Sequence, residues 1–186
     1  MLHLRPQDLH GGGSGKLAAT LEHISREAVE EKTADRWVPI LSGLIWLADI
    51  VVCVLDIVIL QHGRYSLMYV GIAGVALFLA GLGLYGVARK TLGKLFSETV
   101  RILPEHKLIT SGPYSLIRHP IYLGEILFAF SIPMIANSLY GFVIMLVIIP
   151  ILLHRIRIEE KILVSRFGQE YIEYSHKTKK LIPYIY

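Results

Sequence analysis

Two stretches in the second half of the chain carry the residue types that do chemistry. The first is His106 to Tyr122 (HKLITSGPYSLIRHPIY), with two histidines, a lysine, an arginine and two tyrosines around the turn signal Ser111-Gly112-Pro113. The second opens at Arg155 (RIRIEEKILVSRFGQEYIEY), where Arg155 and Glu159 are four apart and share a helical face. An arginine grips a carboxylate by paired hydrogen bonds, a glutamate accepts donors, and a tyrosine face attracts a cation. A set that mixes both signs of charge with aromatic faces suits a small charged molecule. Taken singly, basic residues beside an apolar helix anchor it at the membrane surface, and an Arg/Glu pair at this spacing is a solvated salt bridge. Only convergence argues for a site, and convergence depends on the elements between the two stretches.

Those elements are long and apolar. Of the 186 residues 53% are hydrophobic, with a mean hydropathy of +0.52, and they gather in runs rather than being spread through a core. Trp37 to Leu60 spans about 36 Å as a helix, enough to cross a hydrocarbon core of about 30 Å with some tilt. Leu67 to Ala88 is a second, glycine-rich span. Ile121 to Ala136 and Ser138 to His154 meet at Asn137 and reach only about 25 Å each, which predicts a tight helical hairpin. The expected fold is an all-α integral membrane protein with about four transmembrane helices, the last two forming the hairpin over 121–154.

Charge gives this arrangement a direction. Residues 1–36 carry five lysines and arginines, 89–120 carry six, and the segment from Arg155 onward carries seven, whereas loop 61–66 has only Arg64. The positive-inside rule then places both termini and the 89–120 segment on the cytoplasmic side. The hairpin brings Arg118 and His119 at one foot close to Arg155, Glu159 and Glu160 at the other. Pro120 suits the first turn of the helix it opens, where a missing amide is not needed. The chain divides into a cytoplasmic arm (1–36), a two-helix scaffold (37–88) and a site-bearing region (89–186). The arm has a GGGSG joint at Gly11–Gly15 and a short amphipathic pattern through Leu17, Leu21, Ile24 and Ala28. It contains no apolar core of the kind a secretory signal needs.

Other patterns point elsewhere. Gly81, Gly83 and Gly86 spell the dinucleotide fingerprint, but inside a transmembrane span, where small residues serve close helix packing instead. Asp49 and Asp56 share one face of the first span and must turn toward a cavity, a partner or counter-ions; an ion path is the rival to a packed inward face. Glu125 lies near the cytoplasmic end of the third helix, placed to reach the interface or line a site. The single cysteine, Cys53, excludes a disulfide framework within the chain, and no nucleic-acid motif is present.

The run LITSGPYSLIRHPIYLGE, followed by EEKILVSRFGQEYIEY and a final LIP, resembles the isoprenylcysteine carboxyl methyltransferase family. That family sits in a wider group of membrane methyltransferases that includes phospholipid N-methylating enzymes. The resemblance runs from about Leu92 to the end of the chain. It implies that His106, Lys107, Leu108 and Ile109, together with Tyr114, His119, Pro120, Ile121, Tyr122 and Glu159, bind S-adenosyl-L-methionine. It implies that Arg155 faces the acceptor as the catalytic and substrate-binding residue. A glutamine of better-known members has no counterpart in Val100-Arg101-Ile102-Leu103.

The chemistry implied is methyl transfer to a carboxylate on a lipophilic, isoprenylcysteine-like acceptor that enters from the bilayer, with the active site at the cytoplasmic face. No metal and no nucleic acid are called for, and membrane lipids are the surroundings. A carboxylate acceptor is already an anion at neutral pH and needs no base; an amine would need one, with His119 or Glu160 as candidates. Three rivals stay open on the residues alone. They are a methyltransferase for a phospholipid amine or small thiol, an NADPH-dependent sterol or enone reductase, and a non-catalytic interaction or ion-conducting protein.

Overall fold

The computed structural model describes residues 22–23, 38–60, 68–93 and 107–182. Among these, every named element is helical: α1 (Val38–Leu55), α2 (Met68–Leu92), α3 (Pro120–Ala136), α4 (Leu139–Met145), α5 (Ile148–Phe167) and α6 (Gln169–Lys177). A π-helical turn, Asp56–Leu60, prolongs α1, and a 3-10 turn, Gly112–Ser115, precedes α3. The amphipathic pattern at 17–28 lies, apart from Glu22 and His23, outside the described residues, as does His106.

Among the described residues, three helical stretches are long and apolar enough to cross a membrane: Val38–Ile59, Met68–Leu92 and Leu139–Phe167. The last is longer than a bilayer needs, and its apolar part stops at His154, after which Arg155, Arg157, Glu159 and Glu160 follow. The fourth apolar helix, α3, has 17 residues and reaches only about 25 Å. The second span runs four residues past the expected Ala88, to Leu92, because Arg89 and Lys90 continue the helix at a C-terminal turn, where cations are favoured.

Local chemistry fixes the helix ends that matter for the site. His119 is the N-cap of α3 and Pro120 its first residue. Pro133 withholds one amide near the other end, and the chain turns at Asn137, whose φ of 52° is left-handed, before Ser138 caps α4 by accepting from the Gly141 amide at 3.0 Å. Between α4 and α5 the helix is bent: Pro150 cannot donate to the Leu146 carbonyl, which takes the Ile149 amide at 3.3 Å instead.

The helices pack through glycines. A Cβ on Gly81 of α2 would lie 2.9 Å from both the Gly124 carbonyl and the Phe128 amide of α3, and one on Gly124 would lie 3.0 Å from the Gly81 carbonyl. Gly74, one heptad earlier, meets the Ile135 amide at 2.8 Å in the same way. Close packing is therefore the role of Gly81 in the fingerprint-like run, but not of Gly83 or Gly86, whose added Cβ would meet no described residue within 4 Å. The working stripe is Gly74–Gly81, set against Gly124.

Asp49 and Asp56 are buried, at 0% and 2% exposure, and Asp49 turns toward the start of α4 rather than toward lipid. Cys53, between them, donates its thiol to Asp49 Oδ1 at 3.8 Å, and a Cβ on Gly141 would lie 2.8 Å from that same oxygen. The acidic face of α1 is thus packed directly on the start of α4.

Candidate active site

The site residues come from three places that the fold brings together: the loop 107–119, the first turn of α3, and the charged half of α5. The 3-10 turn holds Tyr114, whose ring is buried, and lies over the end of α2, where a Cβ on Gly112 would meet Thr91 Oγ1 at 3.2 Å. From there the chain runs alongside the C-terminal segment as a short parallel bridge, Ile117 with Lys179. The Arg118 amide donates to the Lys179 carbonyl at 2.8 Å and the His119 amide to the Lys180 carbonyl at 3.1 Å. Tyr174 of α6 closes the clasp, its hydroxyl donating to the Tyr114 carbonyl at 2.6 Å.

Glu160 is the electrostatic centre of that clasp. Its Oε1 accepts from Arg118 Nε at 2.9 Å and lies 3.4 Å from His119 Nε2, while Oε2 pairs with Lys180 Nζ at 2.9 Å. The same guanidinium donates through Nη1 to the Ser175 and Thr178 carbonyls at 2.8 and 2.6 Å. Burial by itself would raise the Glu160 pKa; hydrogen bonds from His119 and Lys180 and the nearby cations reverse that and hold it at about 2. So strongly engaged a carboxylate is a poor proton acceptor, which removes Glu160 as a general base for an amine.

Glu159 has the opposite character. Its side chain is 35% exposed, His119 Nδ1 lies 3.9 Å away, and the Tyr122 hydroxyl is its hydrogen-bond neighbour. Around it stand the phenols of Tyr114 and Tyr122 and the buried ring of His119, the last two with ring centroids 5.8 Å apart. A carboxylate walled by aromatic faces suits a cationic nucleoside donor, through charge and through the quadrupoles of the rings. In the field of Glu160 and Glu159 lies a buried phenol, Tyr171, whose hydroxyl has no hydrogen-bond partner among the described residues.

Arg155 stands one helical turn before Glu159 and opens onto a different space. A cavity of about 340 Å³ lies between α1, α2, α3 and α5, walled by Trp46, Leu82, Phe128, Ile148 and Leu152, with Tyr85, Glu125 and Arg155 as polar lining groups. Gly81 and Gly124 form part of its wall. The structure therefore gathers Tyr114, His119, Pro120, Tyr122 and Glu159 at one centre, with Arg155 between it and the cavity. Lys107 is exposed, and Leu108, Ile109 and Ile121 are half-buried. The approach of Arg118 to Glu160 follows the hairpin expected from the sequence, whereas the tie of Lys180 to Glu160 and the Tyr171 hydroxyl were not singled out. The F-G-x-x-Y run ending at Tyr171 was the available signal for the latter.

Comparison with known proteins gives a family and a fold. The model of the isoprenylcysteine carboxyl methyltransferase family matches residues 72–165. A probable protein-S-isoprenylcysteine O-methyltransferase of Oryza sativa is 36% identical over 120 residues, covering 63% of this chain and 63% of that protein. The protein-S-isoprenylcysteine O-methyltransferase of Saccharomyces cerevisiae is 36% identical over 117 residues, covering 61% and 49%. The chain thus spans roughly half to two-thirds of the length of these relatives. In fold it is similar to a eukaryotic intramembrane Ras methyltransferase, with a TM-score of 0.67 and 24% identity over 78% of this chain and 53% of the other. With its apolar spans, its helical fold and a family match across half its length, the chain is a multi-pass membrane protein that belongs to the isoprenylcysteine carboxyl methyltransferase family.

Proposed function

We propose that this chain is a membrane methyltransferase that esterifies the carboxylate of a lipophilic, isoprenylcysteine-like acceptor, with S-adenosyl-L-methionine as the methyl donor. The observation that carries this reading is the apolar cavity between the helices, which has Arg155 in its lining one helical turn from the Glu159 cluster. A lipid tail and a water-soluble nucleoside can meet there without either leaving its own solvent.

The donor, when bound, supplies a methyl group activated on a sulfonium. Glu159, Tyr114, His119 and Tyr122 would hold it, together with Pro120, Ile121, Lys107, Leu108, Ile109 and His106. Arg155 would take the acceptor carboxylate in paired hydrogen bonds and fix its angle of approach. That carboxylate is already ionised at neutral pH, so no side chain need remove a proton. Trp46, Phe128 and Leu152 would keep water from the reacting groups. In topology the reading takes α3 as a short fourth crossing paired with α4 and α5, both termini and the active site cytoplasmic. In organisation it takes 1–36 as an arm, 37–88 as scaffold and 89–186 as the catalytic region.

The test is direct. Purified protein is given labelled S-adenosyl-L-methionine with an N-acetylated farnesylcysteine, a phosphatidylethanolamine or a short thiol, in parallel. Base-labile methyl ester formed on the first acceptor supports the proposal. Transfer to the amine or the thiol alone would move the acceptor, and NADPH binding without donor binding would replace the activity with a reductase.

A further inference from the structure

We propose that Glu125 is an acceptor-binding residue: its carboxylate pairs with a free α-ammonium group of the acceptor, beside the carboxylate that Arg155 holds. The acceptor class is then an S-alkyl amino acid with an unblocked amine, not an acylated chain end. The inference rests on the methyltransferase reading above and names the substrate of that same site.

Glu125 follows Gly124, whose backbone is set against α2 so closely that a Cβ there would lie 3.0 Å from the Gly81 carbonyl. That contact fixes the rotation of α3, and with it the direction of the next side chain. Glu125 is half-buried and lines the cavity between the helices, as Arg155 does from α5. The register of the two helices agrees. Tyr122 reaches Glu159 with its hydroxyl, and Ala129 shares a packed cluster with Leu152, so α3 and α5 run in opposite senses. Between those two contacts, one turn along each helix, the facing positions are Glu125 and Arg155.

Among the described residues that line the cavity, these two are the only charged ones. The remaining wall is mostly aromatic and aliphatic, with the hydroxyls of Ser42 and Tyr85 as its other polar side-chain groups. One cation thus balances one anion in surroundings that screen charge poorly. A carboxylate that entered alone to take Arg155 would bring a second negative charge beside Glu125. The net positive charge of the donor is met by Glu159, one turn further along α5, and does not offset it.

An acceptor with an ammonium on the same small head adds no net charge. Its carboxylate takes Arg155 and its ammonium takes Glu125, each in a charge-assisted contact. An amide N–H at that position can donate to Glu125 but leaves the extra negative charge standing. A head without nitrogen does neither. The cavity therefore ranks three heads: ammonium first, amide second, none last.

The experiment gives wild type and Glu125→Gln labelled S-adenosyl-L-methionine and one of three acceptors. They are S-farnesylcysteine, its N-acetyl derivative, and S-farnesyl-3-mercaptopropionate, which lacks the nitrogen. The readout is kcat/KM for methyl ester at about pH 6.5, where the free amine is an ammonium. Wild type should prefer the free amine over the acetylated acceptor by about tenfold or more, the scale of one charge-assisted hydrogen bond. In Glu125→Gln, which keeps the shape and removes the charge, that ratio should collapse toward unity.

A wild type that uses the acetylated acceptor as well as the free amine, or better, overturns the inference. That comparison needs no variant to fold. A Glu125→Gln protein that keeps the wild-type ratio overturns it too, whether Glu125 is a structural residue or a protonated donor to the acceptor carboxylate. Ester on any of the three acceptors upholds the methyltransferase reading whatever becomes of Glu125. Ester on none removes that reading, and this inference with it.

Discussion

Two adjacent glutamates on α5 have been given opposite duties by their surroundings. Glu160 is locked among cations, whereas Glu159 faces aromatic walls and keeps its capacity to bind. Replacing Glu159 by Ala should weaken donor binding by tenfold or more on the scale of a charge-assisted contact, roughly 1.5–3 kcal/mol, with folding intact. Arg155→Ala should leave donor affinity unchanged and abolish ester formation; equal losses of donor affinity in both variants would contradict the division. For Glu160 the readout is stability. Its folded pKa of about 2 lies below the ordinary 4.5, so its contribution is complete above 4.5 and drains away as pH falls toward 2. Glu160→Gln should lower stability at pH 7 by on the order of 2 kcal/mol and flatten the melting temperature over that acidic window. Tyr114, His119 and Glu159 were legible because they lie in short motifs flanking apolar helices. In the Glu160 clasp the approach of Arg118 followed from the hairpin, but Lys180 was not legible, because no periodicity links the segment after α6 to α5.

At the scale of elements, hydropathy located the apolar helices, since a lipid-facing run must be long and continuous. It could not tell which glycines touch, because that depends on the rotation of α2 against α3. Gly81→Val should therefore separate these helices and lower the melting temperature in detergent, with an overpacking penalty of about 1–3 kcal/mol. Gly83→Val, two residues on and facing open space, serves as its control and should melt like wild type. A similar drop in both would mean that lost flexibility, not helix contact, is responsible. The same rotational ambiguity hid the partner of Asp49. A carboxylate on an apolar face was plainly destined for the interior, but only the fold brings Gly141 of α4 against it. The bend at Pro150 was readable in principle, as proline removes the amide that a straight helix would use.

For the whole molecule, the distribution of charge implies an orientation that can be measured. In a Cys53→Ala background, a cysteine at Lys177 should react with a membrane-impermeant maleimide only from the cytoplasmic face, and one at Leu139 only from the opposite face. Labelling of both from one side would refute the proposed topology. If the molecule takes a lipophilic acceptor as proposed, it must select it by dimension as well as by headgroup chemistry. At Gly81 and Gly124 the cavity wall is made by two backbones already in contact, so this side can neither yield nor be trimmed. Trp46, Leu82, Phe128 and Leu152 present side chains to the same space and can be exchanged without moving a helix. The glycine pair is thus a fixed jaw and the opposing side chains an adjustable one. On the proposed function, the length of acceptor tail admitted would be gauged between them.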